Sequence, residues 1–114
     1  MTTPRWTFDP ATVNGEMSLG LTRSTGLALV RNTGTFDGFG GDRLLPGGSP
    51  ALWGHHGDAY GFLGGMMFHP QKRYGYLYFI NGTAAEPEKR LGRHSSFFLW
   101  EEEIQEAVLG WLGE

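Results

Sequence analysis

The chain contains no cysteine, only two lysines (Lys72 and Lys89) and no long apolar run. Without cysteine there is no disulfide, no thiol nucleophile and no thiolate metal site, and the redox compartment stays open. The 9 basic residues are outnumbered by 12 acidic ones and form no basic stripe. The expectation is therefore no nucleic-acid partner, since phosphates need a cluster of positive charge. No stretch approaches membrane-spanning length, and no basic-then-apolar leader precedes the first expected strand. The expected protein has no membrane partner and no signal peptide in this chain, with localisation otherwise undetermined.

What the chain has in abundance is 19 glycines and 16 aromatic residues. That pairing suits a β-rich domain with many turns and a bulky core. A chain of 114 residues reads as a single domain, 1–114, able to bury a serviceable core. Its most informative stretch runs from Trp53 to Gly82. A glycine-framed polar cluster, Gly54-His55-His56-Gly57-Asp58, leads into an apolar run from Tyr60 to Phe68. The polar segment His69 to Arg73 follows, then a second apolar run from Tyr74 to Ile80, and together they predict an antiparallel hairpin.

Around that centre, residues 1–16 carry two prolines and read as a lead-in arm, with Trp6 and Phe8 available to dock on a sheet. Met17 to Arg23 and Gly26 to Arg31 read as two strands of a hairpin, or as one bulged strand. Residues 32–50 hold six glycines and two prolines and predict a loop, either a functional one or a plain surface insertion. The polar stretch Thr83 to Arg93 ends before Ser95-Ser96, an expected N-cap for a helix over 98–112. Trp100, Ile104, Val108, Trp111 and Leu112 recur at helical spacing, which predicts an aromatic-rich stripe covering one sheet face. Glu101, Glu102 and Glu103 fall near the positive end of that helix dipole. Gly113 is the expected stop.

The order GHHGDAYGF, a strand, the HPQKR turn and a strand ending Ile80-Asn81-Gly82 resembles the C-terminal part of serine β-lactamase and penicillin-binding-protein-like hydrolases. In that family a Lys/His-x-Gly triad opens a strand on the active-site edge of an antiparallel sheet. Here His55-His56-Gly57 takes that place, Gly61-Phe62 matches a Gly-aromatic pair, and Asn81 matches an Asn that ends the next strand. Met17-Ser18-Leu19-Gly20-Leu21 is similar to the family's Y-G-L-G-W strand, with Met17 where an aromatic is usual. The resemblance covers roughly residues 15–112 and only the C-terminal part of such an enzyme. It implies a partial β-lactamase-like α+β fold: about four or five antiparallel strands with the C-terminal helix packed on one face. The 32–50 segment would then lie near the active-site cleft.

The resemblance also assigns roles. His55 would orient a substrate carboxylate or assist proton transfer. The backbone N–H of Asp58 would be one oxyanion-hole donor. His56, Gly57 and Tyr60 would contact substrate, and the Asp58 side chain departs from the family's usual small residue. The plainer reading is that His55 and His56 are ordinary residues of an edge strand. Such a hydrolase needs Ser-x-x-Lys, so that the amine takes the hydroxyl proton. Neither lysine lies three residues after a serine, and Tyr-x-Asn or Ser-x-Asn is absent too.

Three functions follow from these residues. The first is a C-terminal segment or subunit of a β-lactamase-like serine hydrolase, inactive alone and completed by a separate chain. The second is a non-catalytic binding or oligomerisation module built on the same fold, with a homo-oligomer as the partner state. The third is an independent enzyme resting on His55 or His56. The substrate would be a β-lactam, a D-Ala-D-Ala peptide or an ester. No cofactor is expected. No metal site is expected either, because neighbouring histidines on a strand face opposite ways and no H-x-x-x-H or H-E-x-x-H spacing occurs. The Tyr74, Tyr76, Tyr78 alternation reads best as one packed strand face under the helix, ahead of a stacking platform for sugars or bases.

Overall fold

The structure, a computed structural model, describes residues 1–18, 20–83 and 90–114. Among the described residues, eight strands precede one helix: β1 (Trp6–Thr7), β2 (Ser24–Thr25), β3 (Val30–Arg31), β4 (Phe36–Asp37), β5 (Gly40–Gly41), β6 (Trp53–Ala59), β7 (Phe62–His69), β8 (Tyr74–Ile80) and α1 (Leu99–Trp111). The main sheet is antiparallel in the order β1-β2-β3-β6-β7-β8, and β4 and β5 form a separate ribbon. The class is therefore α+β, with six strands in the main sheet instead of four or five. The additional ones are two-residue strands at the β1–β3 end.

β6, β7 and β8 form a meander that fixes everything else. The β6–β7 connection is the two-residue turn Tyr60-Gly61, with φ of 54° and 80°, closed by the pair Ala59 and Phe62. Both φ values are positive, as the hairpin turns that match strand twist require. Tyr60, expected to begin a strand, is instead at the turn. The β7–β8 turn spans residues 70–73 and closes through the Arg73 N–H donating to the His69 carbonyl at 2.9 Å.

Cross-strand register divides the meander into two faces. His56, Gly65 and Tyr78 are opposite one another, as are Gly54, Met67 and Tyr76, and this face meets α1. The core gathers Leu44, Leu52, Met67, Phe97 and Leu109 on that side. The other face presents Phe62, Met66, Leu77 and Phe79, all exposed.

The helix starts one residue later and ends one residue earlier than expected, and its buried side differs from the expected stripe. Glu101, Glu102, Gln105 and Leu109 are buried, whereas Trp100 is exposed and Trp111 is 85 % exposed. Polar bonding explains the rotation. The Tyr78 hydroxyl donates to Glu101 Oε2 at 2.5 Å, Tyr76 to Gln105 Oε1 at 2.9 Å and Tyr74 to Glu114 Oε1 at 2.9 Å. Buried phenols need acceptors, and an acidic and amide stripe supplies them where tryptophan cannot. The tyrosine alternation does face the helix, as read from the sequence.

Three local expectations are corrected. Ser95 and Ser96 do not cap the helix: Phe98 holds the N-cap position with no side-chain bond, and Ser95 Oγ donates to Glu102 at 2.7 Å. Ser18, Gly20 and Leu21 lie in turns rather than in a Y-G-L-G-W-like strand, with the Gly20 and Thr22 N–H groups donating to the Met17 carbonyl. Leu19 lies outside the described residues, as does part of the Thr83 to Arg93 stretch (84–89, including Lys89). Residues 32–50 are more than loop. They contain β4 and β5, contribute Leu44 to the core, and bury Asp42, which accepts bonds from Thr33 and Thr35. The lead-in arm also joins the sheet through β1, with Phe8 buried.

Candidate functional site

β6 is fully paired with β7 on one side, but on the other it meets β3 only at Trp53 and Gly54. Beyond Gly54 no strand covers that outer edge among the described residues. Main-chain groups along a strand alternate between its two edges. The Leu52 carbonyl points outward, accepting from the Asn32 N–H at 2.8 Å. The same two-residue period turns the N–H and C=O of His56 and Asp58 outward as well. Asp58 therefore presents its N–H on an open strand edge.

A cleft of about 330 Å³ runs along this edge. His55 to Asp58 line it from β6, Ser96 to Phe98 and Glu101 from α1 and the segment before it, and Ser18, Leu21, Thr22 and Val30 complete the lining. The 32–50 segment contributes no residue to this lining. It supports the cleft from behind, where the Gly41 N–H donates to Ser96 Oγ at 2.9 Å.

The two histidines reach the cleft from opposite faces, as alternation requires. His55 is exposed, and its Nε2 bonds the Ala28 carbonyl, so this nitrogen carries the proton. His56 stacks on Phe97, with ring centroids 4.8 Å apart and planes 9° from parallel. Its Nε2 is buried with no hydrogen-bond partner among the described residues. Burial, reinforced by the neighbouring His55, lowers the His56 pKa to about 4. His56 is thus a neutral imidazole at physiological pH, packed flat against Phe97 in the lining of the cleft.

The carboxylates give the cleft a negative bias. Asp58 is exposed at its rim and Glu101 is buried in its wall. Burial raises the Glu101 pKa against the Tyr78 hydroxyl, which favours the ionised form, and the charge of Asp58 adds to the rise. Gly65 makes this wall buildable: a Cβ there would sit 2.6 Å from the Tyr78 ring.

His55, His56, Gly57 and Asp58 therefore come together, while Tyr60 stands apart, 107 % exposed at the hairpin tip and outside the cleft. Phe97, Ser96 and Glu101 belong to the cleft but carry no motif in the sequence. The one available signal was the match between tyrosines two apart on a strand and Glu101 and Gln105 four apart on a helix. Among the described residues, no hydrogen bond joins Ser18 or Ser96 to His55 or His56. The chain finds no match among protein-family models, curated proteins or solved structures.

Proposed function

We propose that this chain is the C-terminal segment or subunit of a β-lactamase-like serine hydrolase. In this reading it supplies the His-x-Gly strand and part of the oxyanion hole, and a separate chain supplies the nucleophile. The observation that carries the reading is the open edge of β6, where the Asp58 N–H faces a cleft walled by His55 and His56. An outward N–H on a fixed strand is the group needed to bond a carbonyl oxygen as charge develops on it. The outward groups of His56 and Asp58 also suit an extended, amide-bearing ligand that adds to the sheet as a further strand. His56 lines the cleft as a ring packed on Phe97, and His55 contributes an exposed imidazole. Proton abstraction from a serine is the step this chain does not provide.

The test is intact-mass analysis after exposure to a fluorophosphonate and, separately, to a penicillin. The reading expects no covalent adduct on Ser18, Ser24, Ser49, Ser95 or Ser96. A stoichiometric adduct would replace it with an independent enzyme built on His55 or His56.

A second reading, a non-catalytic binding or oligomerisation module, is favoured by the exposed apolar face Phe62, Met66, Leu77 and Phe79. These side chains are cross-strand neighbours in β7 and β8, and grouped apolar surface of this kind marks an association site. Either a second copy or the complementing chain would cover it. Sedimentation of the purified chain separates this reading from a lone monomer.

A further inference from the structure

Among the described residues, a cluster of ligand-type side chains lies outside the cleft, where the segment leading into α1 folds back on the helix. His94 Nε2 is 3.5 Å from Glu102 Oε1 and 3.3 Å from Glu106 Oε2. The three ligand atoms all lie within 4.8 Å of one another. We infer that His94, Glu102 and Glu106 form a binding site for a divalent cation of the zinc class, which fastens residues 90–98 to the helix.

The hydrogen-bond geometry around His94 is the first argument. Its Nδ1 is 3.1 Å from the Arg43 carbonyl, which can only accept, so Nδ1 carries a proton. Nε2 then faces two carboxylates. As an N–H donor it would settle on one of them at about 2.7–2.9 Å, the usual length of a charge-assisted bond. Instead its hydrogen bond to Glu106 Oε2 is long, at 3.3 Å, and Glu102 Oε1 stands 3.5 Å away. Ligand atoms around a tetrahedral zinc with bonds of about 2.0–2.1 Å are roughly 3.3 Å apart; both distances from His94 Nε2 are close to that, and the two carboxylate oxygens lie within 4.8 Å of each other.

The surroundings fit the same role. An Nδ1–H bonded to a carbonyl is the usual outer-shell arrangement of a metal-ligating histidine, because it fixes the tautomer and aims Nε2 at the ion. Glu102 is fully buried and held in place: Ser95 Oγ donates to its Oε2 at 2.7 Å, and the Arg93 N–H to its Oε1 at 2.8 Å. The His94 backbone N–H also donates to its Oε2, at 3.1 Å, so the carboxylate is fixed by three donors. A neutral imidazole with two carboxylates balances a doubly charged cation, and water completes the coordination. Arg93, the nearest competing cation, places its guanidinium 3.1 Å from Glu103 Oε1, with its Nε at a longer 3.9 Å from Glu102 Oε1. The spacing His94 to Glu102 to Glu106 forms no local motif, since the helix supplies an i, i+4 pair and the histidine comes from the turn before it.

The test is calorimetric titration of zinc chloride into the untagged, chelator-treated full chain, with magnesium chloride as the hard-cation comparison. One equivalent of zinc is expected to bind, and magnesium far more weakly. Glu106→Gln, at the most exposed of the three ligands, should weaken zinc at least about tenfold, and His94→Gln should do the same. Glu103→Gln should leave the affinity unchanged. A hundredfold excess of zinc over its Kd should raise the Tm by roughly 10 °C, and Glu106→Gln should reduce that rise. No saturable binding to the native chain, or equal affinity in Glu106→Gln, would overturn the assignment and leave His94 as a hydrogen-bonding bridge between the helix and Arg43.

Discussion

Replacing His56 with phenylalanine tests the chemistry of the cleft wall through stability. The substitution keeps an aromatic ring against Phe97 and removes the nitrogen that has no partner. Burial lowers the folded-state pKa of His56 from 6.5 to about 4. The sign follows from proton binding. Between those two values the unfolded chain takes up a proton that the folded chain refuses, so stability falls as pH falls. The contribution is intact above pH 6.5 and is lost progressively down to about pH 4. Worked through the two values, the loss is about 2 kcal/mol by pH 5 and about 3 kcal/mol by pH 4. Urea denaturation of both proteins at pH 8 and pH 5 reads the effect as a difference, so that titrations common to both cancel. Relative to the native chain, His56→Phe should gain about 2 kcal/mol between the two conditions. Parallel pH profiles would refute the buried, neutral histidine.

Two substitutions test how β7, β8 and the helix hold the same wall. Gly65→Ala places a methyl group 2.6 Å from the Tyr78 ring, and should cost roughly 1–3 kcal/mol in urea denaturation through overpacking. An unchanged midpoint would show that the ring can move freely. Tyr78→Phe removes the hydroxyl that satisfies Glu101 in the buried interface. It should cost about 2 kcal/mol, within the range for a bond to a charged group. Pairing it with Glu101→Gln in a double-mutant cycle should show coupling between the two sites, and strict additivity would contradict the bond.

The meander was legible because its signals are local. Tyr74, Tyr76 and Tyr78 alternate at the strand period, and the break from His69 to Arg73 separates two apolar runs. The other turn was hidden because Tyr60 carries a positive φ, which a bulky residue rarely adopts, so it read as the start of a strand. The helix was legible in extent but not in rotation. Tryptophans suggested the inward face, yet the phenols of β8 needed acceptors and drew Glu101 and Gln105 inward instead. In sequence those acids look like ordinary partners of the helix dipole. Residues 32–50 read as loop because glycine and proline dominate them, while the order comes from the buried Asp42 bonding Thr33 and Thr35. The histidine-glycine stretch was visible as a motif, but its cleft was not. Phe97 and Glu101 reach it only through the packing of α1 on the sheet.

The central claim is that the outer edge of β6 is a ligand-binding edge. Chemical-shift mapping of the 15N-labelled chain tests it most directly, with an acetylated D-Ala-D-Ala dipeptide and a penicillin as separate probes. The account predicts saturable shifts at the amides of His56, Gly57 and Asp58 and at Ser96 to Phe98 across the cleft. Shifts confined to other surfaces, or none at the highest soluble ligand concentration, would contradict it.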